Sequence, residues 1–389
     1  MLPAAPPLLD MIDALVRTPS ISSANPALNQ GNRAVIDLLA GWLEDSGFRV
    51  EIMPLPGTPA RANLLATLGN GPGGLVLSGH TDTVPFDEGR WNYDAFGLTE
   101  ADQRLYGLGT ADMKSFLALA IEACRELRAA DLKEPVTLLA TADEETSMSG
   151  AQALVSQGRP QARYAVIGEP TGLRPVCMHK GMMMESIHLQ GRSGHSSDPS
   201  LGNSALEAMH RVIAELIDWR RELQTRHTNP LFAVPVPTLN LGHIHGGDNP
   251  NRICAECELQ IDLRPLPGME IAELRDELHA RTTRVLADSG IRVRFDSLFE
   301  GVPAMQTATD AAIVRLAESL TGHAPAAVAF GTEAPYLTQL GMETVVLGPG
   351  NIDQAHQPDE YIALESLNPT VNILKQMIKA VCIDHAPLL

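Results

Sequence analysis

Histidines and carboxylates recur where this sequence predicts the ends of buried strands. The apolar run Leu75 to Leu77 leads to His80, and Asp82 follows two residues later. Residues two apart in an extended chain point the same way, so Asp82 is predicted to reach the imidazole and fix its tautomer, as a partner of a metal-bound histidine does. A single His-x-Asp is more often a hydrogen-bonded turn. A metal site at His80 therefore requires partners elsewhere in the chain.

Side chains of the same types follow the other predicted strands. Asp112 precedes a helix predicted over Phe116 to Leu127, where it is either the N-cap or a cation ligand. The buried strand Val136 to Ala142 runs directly into three acids, and the next strand ends near Glu169. The candidates at one predicted sheet edge are His80, Asp112, Glu144, Glu145, Glu169 and His356.

The three successive acids Asp143, Glu144 and Glu145 repel one another. They form either a solvated turn, which requires all three to face water, or part of a cation site, because a metal ion removes the repulsion.

Two histidines and four carboxylates without a cysteine are typical of a nitrogen and oxygen site for zinc, cobalt or manganese. Both histidines and three of the four acids make five ligands, enough for two metal ions about 3.5–4 Å apart that share a bridging carboxylate. One acid remains. A carboxylate beside metal ligands is suited to act as a general base in hydrolysis, taking a proton from water and passing it to a leaving amine.

Composition limits the remaining possibilities. With 389 residues the chain is expected to form two domains. The 29 Lys and Arg residues against 47 Asp and Glu residues give a net charge of −18, which argues against nucleic acid or an anionic membrane as a partner. The N-terminal residues carry no basic segment, and no apolar run approaches the roughly 20 residues of a membrane span. We expect no signal peptide and a cytoplasmic protein.

The five cysteines are an odd and sparse set, typical of a reducing compartment. Cys254 and Cys257 form a C-x-x-C, but they lie in an alternating strand pattern over Ile253 to Arg264, so their sulfurs are predicted to point to opposite sides. They are not expected to share a metal. His243 and His245 are likewise expected to line one strand face rather than bind a metal.

The middle of the chain differs in pattern from its flanks. Residues 179–296 predict the order β-α-β-β-α-β of a ferredoxin-like sandwich, as a domain inserted into an α/β domain of residues 1–178 and 297–389. A closing helix is predicted over Asn368 to Cys382, with Asn368 as its N-cap and Pro369 at its first position.

The sequence resembles the dinuclear zinc aminoacylase and deacetylase peptidase family, and five ordered motifs spread over nearly the whole chain carry the resemblance. They are Ser78 to Pro85, Gly107 to Lys114, Asp143 to Glu145, Gly168 to Thr171, and Ala355 to Glu360. Further stretches are similar to the deacetylases of the family: Thr141 to Ser147, Ser193 to Pro199, Leu239 to Gly247, Asn251 to Cys254, and Asp262 to Met269.

The resemblance implies a ligand set. His80 and Glu169 would hold one metal ion, Glu145 and His356 the other, and Asp112 would bridge the two. The ions implied are zinc, with cobalt as an alternative.

The resemblance also implies roles for residues around the metals. Glu144 would be the base and Asp82 the partner of His80. His195 would help to hold the tetrahedral oxyanion, often in the site of the partner subunit of a homodimer, and Asn251 and Arg264 would hold the substrate α-carboxylate.

The fold and activity implied are those of an α/β metallo-exopeptidase-like domain with a mixed central sheet and an inserted ferredoxin-like α+β lid and dimerisation domain. The reaction implied is hydrolysis of a small N-acyl amino acid, with N-acetyl-L-ornithine of arginine biosynthesis ahead of N-acetylcitrulline and N-succinyl-diaminopimelate. A non-catalytic metal-binding module is the main alternative class, although such a module has no need of Glu144. A thiol-dependent enzyme is disfavoured because no cysteine lies in a strand-end motif.

Two stretches depart from the family pattern. The family commonly has Asn-x-Ile-Pro where this chain has Asn-Arg-Ile-Cys, with Cys254 in place of the proline. It commonly has Gly-Thr-Asp-Ala where this chain has Gly-Thr-Glu-Ala, with Glu333 in place of the aspartate. Both departures concern acyl-group and side-chain specificity rather than the metals.

Overall fold

The computed structural model describes residues 5–384, so residues 1–4 of the N-terminal stretch considered for a signal peptide lie outside the described part. Within residues 5–384 no helix is both long and apolar enough to cross a membrane. These residues form two compact units. The first comprises residues 5–177, 307–326 and 332–384, and the second comprises residues 178–306 and 327–331.

The described residues form nine α-helices. They are α1 (Leu8–Val16), α2 (Arg33–Asp45), α3 (Lys114–Cys124), α4 (Ser149–Gln157), α5 (Ala205–Arg226), α6 (Ile271–Val285), α7 (Ala312–Thr321), α8 (Ala334–Gln339) and α9 (Leu364–Ile378).

They also form sixteen β-strands. These are β1 (Arg49–Leu55), β2 (Thr58–Leu68), β3 (Leu75–His80), β4 (Thr99–Ala101), β5 (Arg104–Tyr106), β6 (Val136–Thr141), β7 (Tyr164–Pro170), β8 (Val176–His179), β9 (Met183–Gln190), β10 (Thr238–Gly246), β11 (Glu256–Arg264), β12 (Arg292–Ser297), β13 (Met305–Gln306), β14 (Ala326–Val328), β15 (Glu343–Gly348) and β16 (Tyr361–Ala363).

The first unit is built on a mixed sheet whose strand order is β1-β2-β6-β3-β7-β15-β8. The four central strands β6, β3, β7 and β15 are parallel, whereas β2 runs antiparallel to β6. Strands β3, β6 and β7 are buried along their whole length, as their unbroken apolar runs predict. Because parallel strands end at one edge, the residues that follow β3, β6, β7 and β15 lie at the same side of the sheet.

The second unit contains an antiparallel sheet with the strand order β10-β11-β9-β12. Helices α5 and α6 connect β9 to β10 and β11 to β12, and α5 packs on the sheet. Along β11 the buried residues Cys257, Leu259, Ile261 and Leu263 alternate with more exposed ones. This is the one-sided strand that the sequence pattern predicts, although it begins at Glu256 rather than at Ile253.

Helix α3 lies against the central sheet of the first unit at two glycines. A Cβ at Gly168 would lie 1.9 Å from Cγ of the buried Phe116, and one at Gly79 would lie 3.2 Å from Cδ2 of Leu117. Both glycines therefore allow α3 to approach strands that end in candidate ligands.

We expect the Gly168→Ala substitution to lower the free energy of unfolding by about 1–3 kcal/mol, because the ring of Phe116 must move in a close-packed core. Urea unfolding followed by circular dichroism measures this change. Gly41→Ala is the matched control, since Gly41 lies in α2 with open space around it and alanine there should stabilise by roughly 0.5–1 kcal/mol. Equal stability of wild type and Gly168→Ala would contradict the packing described.

The sequence prediction for the closing helix was wrong at both ends. Helix α9 begins at Leu364, directly after β16, so Asn368 and Pro369 lie inside it. The preference of proline for the first helical position was outweighed by strand pairing, because Ala363 is held opposite Arg104 and the helix starts at the next residue. The α-helical part ends at Ile378, and Cys382 lies in a following π-helical turn.

Candidate metal centre

His80 ends β3, and both of its ring nitrogens have oxygen partners. Its Nδ1 lies 2.9 Å from the main-chain carbonyl oxygen of Asp82, and its Nε2 lies 3.0 Å from Oδ1 of Asp112. A neutral imidazole that donates from Nδ1 to a carbonyl presents an unprotonated Nε2, which is the form that binds a metal ion. Nε2 is therefore the His80 nitrogen suited to ligation.

The protonation of His80 is governed by its surroundings. Burial by itself lowers the pKa of His80, but the hydrogen bond with Asp112 and the charges of Glu169 and Glu144 outweigh burial and raise the pKa well above its ordinary value. The surrounding carboxylates therefore favour a positive charge on the imidazole or next to it.

Asp82 approaches the imidazole with its carbonyl more closely than with the carboxylate that the sequence prediction used. Its Oδ1 lies 3.7 Å from Nδ1 of His80. The strand ends at His80, so the extended alternation does not continue to Asp82. Its carboxylate accepts hydrogen bonds from the main-chain N–H groups of Glu144 and Glu145, at 3.2 and 3.1 Å. Asp82 therefore connects His80 to the segment that carries both acids.

The carboxylate of Asp112 lies between two histidines. Its Oδ1 is 3.0 Å from Nε2 of His80, and its Oδ2 is 3.6 Å from Nε2 of His356. Helix α3 begins at Lys114 without a side-chain cap, so the N-cap alternative for Asp112 was wrong. Burial raises the pKa of Asp112, but the hydrogen bond and charge of His80 and the charge of His356 hold it below its ordinary value.

Glu145 and His356 form a second pair at the same edge of the sheet. The distance from Nε2 of His356 to Oε2 of Glu145 is 3.0 Å. This hydrogen bond raises the pKa of His356 to about 9. The other oxygen of Glu145 is buried and has no hydrogen-bond partner within residues 5–384.

Glu169 approaches His80 from β7. Its Oε1 lies 3.8 Å from Nε2 of His80 and is buried without a hydrogen-bond partner in the described part of the chain. Burial raises the pKa of Glu169 well above its ordinary value, and the charge of Asp112 adds to this effect. A negative charge at Glu169 is therefore unfavourable unless a cation lies nearby.

Glu144 differs from the other acids of the centre, because its side chain makes neither a hydrogen bond nor an ion pair with any described residue, whereas even Glu169 lies 3.8 Å from His80. Burial raises the pKa of Glu144 well above its ordinary value, and the charges of Glu169 and Glu145 add to burial against the opposing charge of His80. This side chain thus lies among the candidate ligands as an uncommitted carboxyl group.

Asp143, the first of the three successive acids, is instead held by an ion pair and several hydrogen bonds. Its carboxylate is paired with Arg61 at 2.7 Å and accepts hydrogen bonds from the hydroxyl of Ser147 and from those of Ser22, Thr146 and Ser149, the last three at 2.6–2.7 Å. Burial raises the pKa of Asp143, but these hydroxyl donors outweigh it and lower the pKa. The repulsion expected for three acids is therefore relieved at Asp143 and remains between Glu144 and Glu145.

Two more buried carboxylates adjoin this edge of the sheet. Glu333 accepts a hydrogen bond from Oγ1 of Thr141 at 2.8 Å, and burial raises its pKa to about 7. In the sequence, Glu333 stands out only as a departure from the family pattern. Glu360 was not predicted as a site residue, although its position four residues after His356 was a signal. Burial raises the pKa of Glu360 to about 8.

The residues present fit a metal ion. Ligand atoms of His80, Asp112 and Glu145 lie within 4.8 Å of one another. The unpartnered oxygens of Glu145 and Glu169 are buried polar atoms of the kind that a cation satisfies. The donor set contains only imidazole nitrogen and carboxylate oxygen, which suits zinc or cobalt.

The remaining predicted site residues lie in the second unit. His195 is exposed, and its Nδ1 accepts a hydrogen bond from the main-chain N–H of Ser197 at 3.2 Å. The proton of a neutral His195 is therefore on Nε2. Asn251 is close by, since its carbonyl accepts the N–H of Ser196 at 3.1 Å.

Arg264 ends β11 in the same unit. Its Nε donates to both carboxylate oxygens of Asp262, at 2.9 and 3.0 Å. The guanidinium is therefore oriented by Asp262.

The sequence profile of peptidase family M20/M25/M40 matches residues 76–380. The chain belongs to this family. It is 49% identical over 377 residues to acetylornithine deacetylase of Edwardsiella ictaluri (strain 93-146), and the alignment covers 97% of this chain and 98% of that protein.

Solved structures show the same fold. A tripeptidase from Staphylococcus aureus superposes with a TM-score of 0.75 at 21% identity, covering 96% of this chain and 97% of that one. A protein from Bacillus subtilis described as a dinuclear metal-binding peptidase of the M20 family superposes with a TM-score of 0.68 at 16% identity, covering 96% and 97% of the two chains.

Proposed function

We propose that this protein is a metal-dependent amidohydrolase that converts N-acetyl-L-ornithine and water to L-ornithine and acetate in arginine biosynthesis. The observation that carries the proposal is the 49% identity to an acetylornithine deacetylase over 97% of this chain. The uncommitted carboxyl group of Glu144 beside the candidate ligands favours an enzyme over a binding module, which needs ligands but no base.

Two divalent ions, zinc or cobalt, are proposed to bind at the centre. His80 and Glu169 would hold one ion, Glu145 and His356 the other, and Asp112 would bridge them. The position of the Asp112 carboxylate between His80 and His356 supports this assignment. When bound, the ions acidify water and polarise the amide carbonyl.

The proposed work of the protein side chains is proton transfer and orientation. Glu144 takes a proton from the attacking water and delivers it to the leaving nitrogen. Asp82 holds His80 through its carbonyl and the Glu144 segment through its carboxylate. Nε2–H of His195 donates a hydrogen bond to the oxyanion, a role that the Ser197 contact supports because it leaves the proton on that nitrogen.

The inserted region, residues 179–296, is proposed to be a ferredoxin-like lid and dimerisation domain in a catalytic domain of residues 1–178 and 297–389. The order of its elements, β9-α5-β10-β11-α6-β12, and the strand order β10-β11-β9-β12 support this proposal. We further propose a cytoplasmic homodimer. The five free cysteines are typical of a reducing compartment.

A panel of N-acyl amino acids tests the substrate. Purified protein loaded with zinc or cobalt should release ornithine from N-acetyl-L-ornithine with a higher kcat/KM than it shows for N-acetylcitrulline or N-succinyl-diaminopimelate. A preference for either competitor would correct the substrate while leaving the reaction class intact. No hydrolysis of any member would contradict the enzyme assignment.

Arg264 and Asn251 are proposed to bind the substrate α-carboxylate. We expect Arg264→Lys to raise KM far more than it lowers kcat, because lysine lacks the planar fork that binds a carboxylate through two hydrogen bonds. Steady-state kinetics with N-acetyl-L-ornithine measures both constants. Arg294→Lys is a matched control, since Arg294 is an exposed strand arginine of the same unit that pairs with Asp296. A fall in kcat at constant KM would argue against this role of Arg264.

A further inference from the structure

Among the described residues, the hydrogen bonds of the buried Glu360 carboxylate all come from the main chain of one loop. It is 1% exposed, and it accepts hydrogen bonds from the N–H groups of Gly109, Ala111 and Asp112 at 3.1, 2.8 and 3.0 Å. Three converging N–H groups form an anion-binding concavity of the type made by consecutive amides in a tight turn. Gly109 makes this turn possible, since its φ is +84°.

The loop bound by Glu360 is the one that presents Asp112. The third amide belongs to Asp112 itself, whose carboxylate lies between His80 and His356. The main chain reinforces the contact, because the carbonyl of Glu360 accepts the N–H of Gly107 at 3.0 Å. The loop is thus held at its start by the backbone of Glu360 and at its end by the side chain.

The segment that carries Glu360 also carries His356 and is anchored separately. Asp359 accepts hydrogen bonds from the main-chain N–H groups of Asn92 and Tyr93, at 2.7 and 3.2 Å, and from the Asn92 amide at 2.6 Å. His356 and the Asp112 loop are therefore joined through one short, fixed segment of chain.

We propose that Glu360 is a positioning residue that fixes the Asp112 carboxylate relative to His356 and thereby sets the affinity of the metal centre. The inference rests on the proposed function, because it takes Asp112 and His356 to be metal ligands. Groups that orient ligands typically change metal affinity by roughly 10–100-fold when they are replaced.

The Glu360→Gln variant tests the proposal. One oxygen of Glu360 accepts the N–H groups of Ala111 and Asp112, and the other oxygen accepts the N–H of Gly109. The single amide oxygen of glutamine can replace only one of these two oxygens. Its NH₂ group must then face the N–H donors of the other, where it cannot accept a hydrogen bond. We expect the zinc Kd of the metal-free protein, measured by competition with a chromophoric chelator, to rise by roughly 10–100-fold. In the zinc-loaded enzyme kcat should fall with little change in KM.

Glu134→Gln is the matched control. Glu134 is another buried acid of the first unit, and it accepts the N–H of Gly74 at 2.7 Å, at the start of the strand that His80 ends. Its replacement makes the same chemical change away from the ligands. We expect it to lower the thermal midpoint of the metal-free protein at least as much as Glu360→Gln and to leave the zinc Kd unchanged.

The outcomes separate this inference from the proposed function. Zinc binding by Glu360→Gln with wild-type affinity would overturn the positioning role and leave the metal centre intact. A wild-type protein that binds no zinc would overturn both. If Glu360→Gln does not fold, Glu360→Asp keeps the charge but shortens the side chain by one methylene, and it should weaken zinc binding for the same reason. Wild-type zinc affinity in that variant would equally overturn the inference.

Discussion

The Glu144→Gln variant is expected to lose roughly 10²-fold or more in kcat while it keeps its metal content. Glutamine matches glutamate in size but cannot take a proton from water. The side chain of Glu144 makes no hydrogen bond within the described residues, so its replacement breaks no contact that holds the neighbouring ligands. Kinetics with N-acetyl-L-ornithine and elemental analysis of the same preparation measure the two properties together.

Glu145→Gln is the informative comparison, because Glu145 contacts His356 at 3.0 Å and has a second oxygen buried without a partner. It should lose bound metal as well as activity. The opposite pattern, with metal lost from Glu144→Gln and retained by Glu145→Gln, would mean that the two adjacent acids have exchanged roles.

The second large effect is expected at His195. An oxyanion donor acts chiefly in the transition state, so His195→Ala should lower kcat by roughly 10²–10³-fold with a small change in KM. His245→Ala is the matched control in the same unit, since His245 is an exposed histidine of β10. It should retain wild-type kcat. A wild-type kcat in His195→Ala would remove this residue from the chemistry.

Mixing two inactive proteins tests whether His195 serves the partner subunit. Heterodimers of His195→Ala and Glu144→Gln should regain part of the activity, because one of their two sites combines intact versions of both residues. Subunit exchange can be verified with differently tagged chains. No recovery after verified exchange would place His195 in the site of its own subunit.

The edge of the sheet that carries the candidate ligands was predictable because it follows from strand burial. Strands β3, β6 and β7 are uninterrupted apolar runs, and parallel strands bring their ends together. From the order of residues alone, that rule predicts that His80, Glu145 and Glu169 lie at one edge of the sheet. It required no knowledge of tertiary contacts.

Distinctions between neighbouring acids were not predictable in this way. Asp143 and Glu144 are adjacent and chemically alike in the sequence. They differ in the structure because Arg61 and four hydroxyls surround Asp143, and Ser22 among these is 121 residues distant. The role of Glu360 similarly depends on amides about 250 residues earlier. Local patterns contain no signal for such contacts.

Helix α9 shows the same limit for secondary structure. Asn368 and Pro369 are a good start signal, but β16 holds Ala363 against Arg104 and the helix begins directly after it. A local preference of about 1 kcal/mol is easily exceeded by pairing and burial.

Hydrolysis by this protein is expected to require bound metal ions. Protein stripped by a chelator, and shown by elemental analysis to be metal-free, should hydrolyse no N-acetyl-L-ornithine. Activity should return in proportion to added zinc or cobalt and reach its maximum at two equivalents per chain, because the chemistry requires an ion that acidifies water. Full activity in the verified metal-free protein would contradict the account.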